Sequence, residues 1–172
     1  MASAPSHAES GRPFSRDHVL RLTPPPSSRR LEHVGEIARY LGAVSILVVG
    51  AIHAQQYYGA YFSAVPTIGV LFLLSFIGAT GVGAVLFAPV RRLGGHVGDL
   101  ILALAALGAI GIAIGSLASL LVSEYTPLFG FMESGYRLAI VLTLLFDVLA
   151  TAFLGLFLFA VAPRLNKEWR TR

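Results

Sequence analysis

The stretch "LTLLFDVLATAFLGLF", Leu142 to Phe157, sets one carboxylate in the middle of an apolar run. The run continues on both sides, from Leu138 to Ala162, and is longer than the roughly 20 residues of helix that cross a hydrocarbon core. Three similar runs precede it, Tyr40 to Tyr58, Thr67 to Pro89 and Val97 to Val122. None alternates with period two. Only helices and closed barrels satisfy their own backbone groups in lipid, so the runs are expected to be helices. The expected fold is all-α, an integral membrane four-helix bundle over residues 29–162.

Composition agrees with that reading. The chain has 172 residues, of which 55% are hydrophobic and 13% charged, with a mean hydropathy of +0.73. A soluble domain usually carries about 25% charge. Cysteine is absent, which excludes disulfides, thiolate metal sites, thiol nucleophiles and dithiol redox chemistry.

The basic residues set the orientation. Six Lys/Arg precede the first run, Arg91 and Arg92 lie between the second and third, and four follow the last. Twelve of thirteen thus share one side and only Arg137 falls on the other, so both termini are expected in the cytoplasm. The net charge of +4 follows from this asymmetry, and the partner it implies is the lipid bilayer, not nucleic acid. The first 28 residues, rich in Pro and Ser and ending near the triple proline Pro24 to Pro26, are expected to form a disordered cytoplasmic tail. They show no uninterrupted apolar core after a basic start, so a signal peptide is not expected. The first span is expected to continue from a helix that begins near Arg29, and residues 163–172 to form a basic cytoplasmic tail.

Two loops face the other way. "QQYYGAYFSAVP" carries Tyr57, Tyr58, Tyr61 and Phe62, suited to an interfacial anchor or to a roof over the bundle. "SEYTPLFGFMESGYR", with Glu124, Glu133, Tyr136 and Arg137, is apolar enough in its middle to lie in the headgroup region. Between them, Pro66 disfavours helix at Val65, and Thr67 is expected to cap the second span.

The segment Ile52 to Leu74, "IHAQQYYGAYFSAVPTIGVLFLL", resembles uncharacterised four-span integral membrane proteins of actinobacteria. These carry a His near the end of the first span, an aromatic loop and a motif that reads here Val65-Pro66-Thr67-Ile68-Gly69-Val70-Leu71-Phe72-Leu73-Leu74. Where they carry a Leu-Trp pair after the His, this chain has Ala54 to Gln56. The resemblance implies a four-span layout and brings no activity with it.

Small residues mark the expected helix contacts. Gly108, Gly111 and Gly115 lie in the third span, with Gly111 and Gly115 in G-x-x-x-G spacing, and Gly78, Gly81 and Gly83 lie in the second. The same faces serve a closed monomer, a homo-oligomer or a larger membrane complex.

Asp147 lies about 15 Å along the helix from Arg137, near mid-bilayer, where an ionised carboxylate costs about 3 kcal/mol to insert. It is therefore expected to face inward. Thr143 and Thr151 stand four residues to either side and share its stripe. His53, Ser75 and Ser116 fall at similar depths in the other spans, so an intramembrane polar cluster in the outer half is expected. Two protein ligands are too few for a metal site, no cofactor motif is present, and no nucleophile with base and orienter is found. An enzyme is not expected. The composition points first to an accessory or scaffold component of a membrane assembly, with a small transporter or proton-linked channel using Asp147 and His53 as the alternative.

Membrane-impermeant labelling of intact cells should leave the N-terminal tail unmodified until the cells are opened. Modification in intact cells would reverse the topology.

Overall fold

The structure, a computed structural model, describes residues 26–60, 62–127 and 137–169. Most of the proline-rich tail and residues 128–136 of the second loop, including Glu133 and Tyr136, lie outside the described residues. Four helices account for nearly all of the rest: α1 (Pro26–Gly59), α2 (Pro66–Phe87), α3 (Gly95–Tyr125) and α4 (Leu138–Trp169). All four are long and apolar enough to cross a membrane. The fold is an all-α membrane four-helix bundle, with the ends of α1 and α4 nearest the termini side by side.

Several boundaries differ from expectation. The last helix continues beyond Ala162 to Trp169 with Pro163 inside it, so the segment expected to be a tail is helical to that point. Proline removes one backbone donor, a loss that a helix held by packing on either side survives. Thr67 does not cap α2. Val65 occupies the cap position in extended conformation, no side chain caps the helix, and Pro66 takes the first turn, where its missing N–H costs nothing.

The helices form an uneven ring. α1 packs most extensively on α4 and then on α2, α3 packs on α4, and the α2–α3 seam is the sparsest of the four. Close approach along α1 depends on glycine. A Cβ at Gly42 would lie 2.5 Å from Leu154 Cδ2, one at Gly35 would lie 2.8 Å from Ala160 Cβ, and one at Gly83 would lie 2.6 Å from Leu47 Cδ2. Of the expected packing glycines, Gly83 and Gly78 meet another helix closely, and Gly108 makes ordinary contact with Val82. Gly81, Gly111 and Gly115 do not: a Cβ on any of them meets nothing within 4 Å. Among the described residues the G-x-x-x-G of α3 is therefore not a helix contact. Spacing shows what another helix could approach, not which helix does.

The core occupies the half of the bundle nearest the termini. Ile46, Val49, Leu86, Leu102, Leu154 and Phe157 are buried there, with alanines of α3 at 103, 105, 106 and 109 filling the gaps between them. Large apolar side chains such as Leu104, Val148 and Phe159 are turned outward, as lipid-facing residues should be.

Charges close the terminal end. Arg39 of α1 is only 5% exposed and donates from Nη1 to the carbonyl of Leu86 at 2.7 Å, one of the unpaired carbonyls in the last turn of α2. Its Nη2 pairs with Glu36 at 2.8 Å, and its guanidinium lies 4.3 Å from the centre of the Tyr40 ring. Glu36 also pairs with Arg91, which reaches Asp99 in the first turns of α3 at 2.7 Å. Burial opposes the Arg91 charge, but the hydrogen bond to Asp99 and the charge of Glu36 outweigh it and hold the guanidinium above its ordinary value. Arg164 of α4 pairs with Glu32 at 2.9 Å. All four helices are thus tied at one end.

Two sets of glycine variants should move stability in opposite directions. Gly98→Ala places a Cβ 2.6 Å from Arg91 Cα, and Gly69→Ala places one 2.6 Å from the Phe62 carbonyl oxygen; both contacts are to backbone that cannot step aside. Each should lower the thermal midpoint in detergent, at a cost of about 1–3 kcal/mol. Gly81→Ala and Gly111→Ala meet open space and should hold or raise it, by up to about 1 kcal/mol of helix propensity.

Candidate functional site

Away from the termini the helices enclose a void. A cavity of about 390 Å³ lies among the last turns of α1, the first turns of α2, the second half of α3 and the first half of α4. Along each helix its inner limit is Ile52, Ser75, Gly111 and Asp147, so these residues form its floor. Directly below, Ala150, Leu154 and Phe157 belong to the packed core.

Of the six residues expected to form a polar cluster, five line this cavity: His53, Ser75, Ser116, Thr143 and Asp147. Thr151 does not. It lies one turn below the floor and donates from Oγ1 to the backbone carbonyl of Asp147 at 2.9 Å. Thr143 likewise donates to the Ala139 carbonyl at 2.9 Å, and Ser123 to the Leu120 carbonyl at 2.8 Å. These bonds use the hydroxyl protons and leave the oxygens as acceptors.

His53 and Asp147 do not pair. The imidazole is held by its own helix, with Nδ1 2.8 Å from the Val49 carbonyl, and its ring lies 5.4 Å from that of Phe72. Because a carbonyl can only accept, Nδ1 is the protonated nitrogen, and Nε2 is the acceptor of the neutral ring. Asp147 is 0% exposed, and neither carboxylate oxygen has a hydrogen-bond partner. The Ser116 hydroxyl faces the carboxylate without meeting the length and angle of a normal hydrogen bond. Among the described residues no three His, Asp or Glu side chains are placed to hold a metal ion.

The first loop closes over the cavity at Phe62. Tyr58 stays exposed and meets Tyr57 edge to face at 4.8 Å. Phe62 turns inward from a short 3-10 turn (Phe62–Ala64), lines the cavity and packs on Phe72 at 5.1 Å. Phe72, Gln56, Ser119 and Ser123, none of them expected in the polar cluster, also line the cavity. The serines carried a usable signal: Ser116, Ser119 and Ser123 recur at three and four residues, one face of a helix. Also missed was the charged cluster at the opposite end, because Arg39 and Glu36 look like an ordinary helical pair until α2 and the Val90–Leu93 turn are folded against them.

Comparison of the chain with protein-family models, curated proteins and solved structures finds no match.

A buried carboxyl whose oxygens have no partner lowers stability by about 1–3 kcal/mol. Asp147→Leu has room to extend into the cavity and should raise the thermal midpoint, with Asp147→Asn changing it less. A clear fall for Asp147→Leu would mean that the carboxyl holds the bundle together.

Proposed function

We propose that this protein is a multi-pass component of the cell membrane, with cytoplasmic termini, that works by binding a small ligand or exchanging a proton in the cavity above Asp147. The orientation rests on the twelve basic residues that share one side of the four spans. The observation that carries the binding role is Asp147 itself, fully buried, without a hydrogen-bond partner, and at the floor of a cavity roomy enough for a small organic molecule. An ionisable group inside a membrane is expensive to keep, and this one does not recover its cost through bonds within the chain. That supports a small transporter or proton-linked device over a bundle that only packs.

A second reading, an accessory component of a larger membrane assembly, is favoured by one separate observation. Among the described residues, nothing lies within 4 Å of a Cβ built on Gly81, Gly111 or Gly115, which leaves surface that another helix could approach. In that case Asp147→Leu would keep its companions through gentle-detergent purification.

Dicyclohexylcarbodiimide, an apolar reagent that attacks protonated carboxyls, should reach Asp147 in intact membranes. Mass spectrometry should place the adduct on the peptide that contains Asp147 and find none there in Asp147→Asn. A wild-type protein that stays unmodified would contradict the binding role.

A further inference from the structure

The cavity has a side. Most of its lining is buried or half-buried, and the exposed lining residues are Leu71 and Leu74 on α2 and Gly111, Gly115 and Ser119 on α3. All five flank the sparsest seam of the bundle. Since a Cβ at Gly111 or Gly115 meets nothing within 4 Å, the glycines keep that gap open. In a membrane, this gap faces acyl chains.

The interior is selective in charge. Among the described residues no Lys or Arg lines the cavity. Its acceptors are the Asp147 carboxylate, the Nε2 of His53, and the hydroxyl oxygens of Thr143 and Ser123, whose protons are already used; its donors, the hydroxyls of Ser75, Ser116 and Ser119 and the Gln56 amide, are all neutral. An anion at the floor would meet the Asp147 carboxylate; the Arg137 guanidinium stands at the outer end, 6.0 Å from the centre of the Phe62 ring. A neutral hydrocarbon would leave both Asp147 oxygens unpaired, and a metal ion would find only Asp147 and His53 as side-chain ligands of ordinary strength. The remaining walls, among them Ile52, Ile112, Phe72 and Leu144, are apolar and suit a hydrocarbon body.

We propose that the ligand is a lipophilic ammonium, an amine on an apolar body, which enters from the bilayer between α2 and α3 and sets its charge against Asp147. This rests on the reading of the cavity as a binding site. The ammonium supplies a charged donor, which the neutral hydroxyl and amide groups of the lining do not, and the carboxylate supplies the one full charge. Neither group then remains buried and unpaired.

The test uses the full chain in phosphatidylcholine nanodiscs, with empty nanodiscs as the partition blank, and three probes of one shape: phenylbutylamine, phenylbutanol and phenylbutanoate. The amine should bind saturably and the alcohol and the acid should not. Asp147→Asn should weaken amine binding by at least about 30-fold, the loss expected on truncating one partner of a buried charge pair, while Asp147→Glu retains it. Gly115→Leu fills the mouth and should slow association several-fold with the thermal midpoint unchanged or raised, whereas Gly81→Leu, on α2 but outside the lining, should leave association as it is. Equal binding of amine and alcohol, or full amine affinity in Asp147→Asn, overturns the cation. Unchanged association in Gly115→Leu overturns the lateral route. If the amine does not bind although the carbodiimide still modifies Asp147, the cavity remains a site and the ligand class is wrong; if neither occurs, both readings fall.

Discussion

The fold depends on how closely α1 can approach its neighbours. Lipid gives apolar helices no hydrophobic reason to associate, so contact must come from backbone proximity and polar ties. Gly35 and Gly42 bring α1 onto α4 at Ala160 and Leu154, and Gly83 lets α2 close over Leu47. Arg39 then fastens the end of this seam by donating to the last turn of α2 and pairing with Glu36, which also reaches Arg91. A buried guanidinium is costly in lipid, and it is tolerated here because a carbonyl, a carboxylate and an aromatic face surround it.

Tightness at one end leaves space at the other. Alanines on α3 let the bundle close around Leu102, Leu154 and Phe157, but beyond Asp147 the facing residues do not fill the space between the helices. The carboxylate sits at the transition from packed core to void. Below it Thr151 serves the backbone; above it the lining is serine, threonine, histidine, glutamine and hydrocarbon. A group that neither seals the core nor bonds to its neighbours is poorly explained by packing, which is why the site is built around it.

Much of the architecture was legible because it follows from length and hydropathy: four apolar runs, their order, and an inward stripe carrying Thr143 and Asp147. Boundaries were less so. Thr67 has the chemistry of a cap, but Pro66 starts the helix one residue earlier and puts Val65 in the capping position. The G-x-x-x-G of α3 misled for a related reason, since small residues permit an approach without naming the partner, and the glycines used at the α1–α4 seam were Gly35 and Gly42. The polar residues of the cluster could be aligned by depth, but a void depends on what surrounding side chains fail to reach. Neither the cavity nor the missing partner of Asp147 was visible in the sequence.

Because the chain contains no cysteine, single cysteines report without background. The most direct measurement is the rate at which a small cationic thiol reagent, aminoethyl methanethiosulfonate, modifies Ser75→Cys, Ser116→Cys and Thr143→Cys in membranes, compared with Ala79→Cys, Ala106→Cys and Ala150→Cys. The first three line the cavity and the last three belong to the packed core, so the first set should react and the second should stay protected. Equal protection of both sets would show that the bundle is closed along its whole length and that Asp147 borders no site.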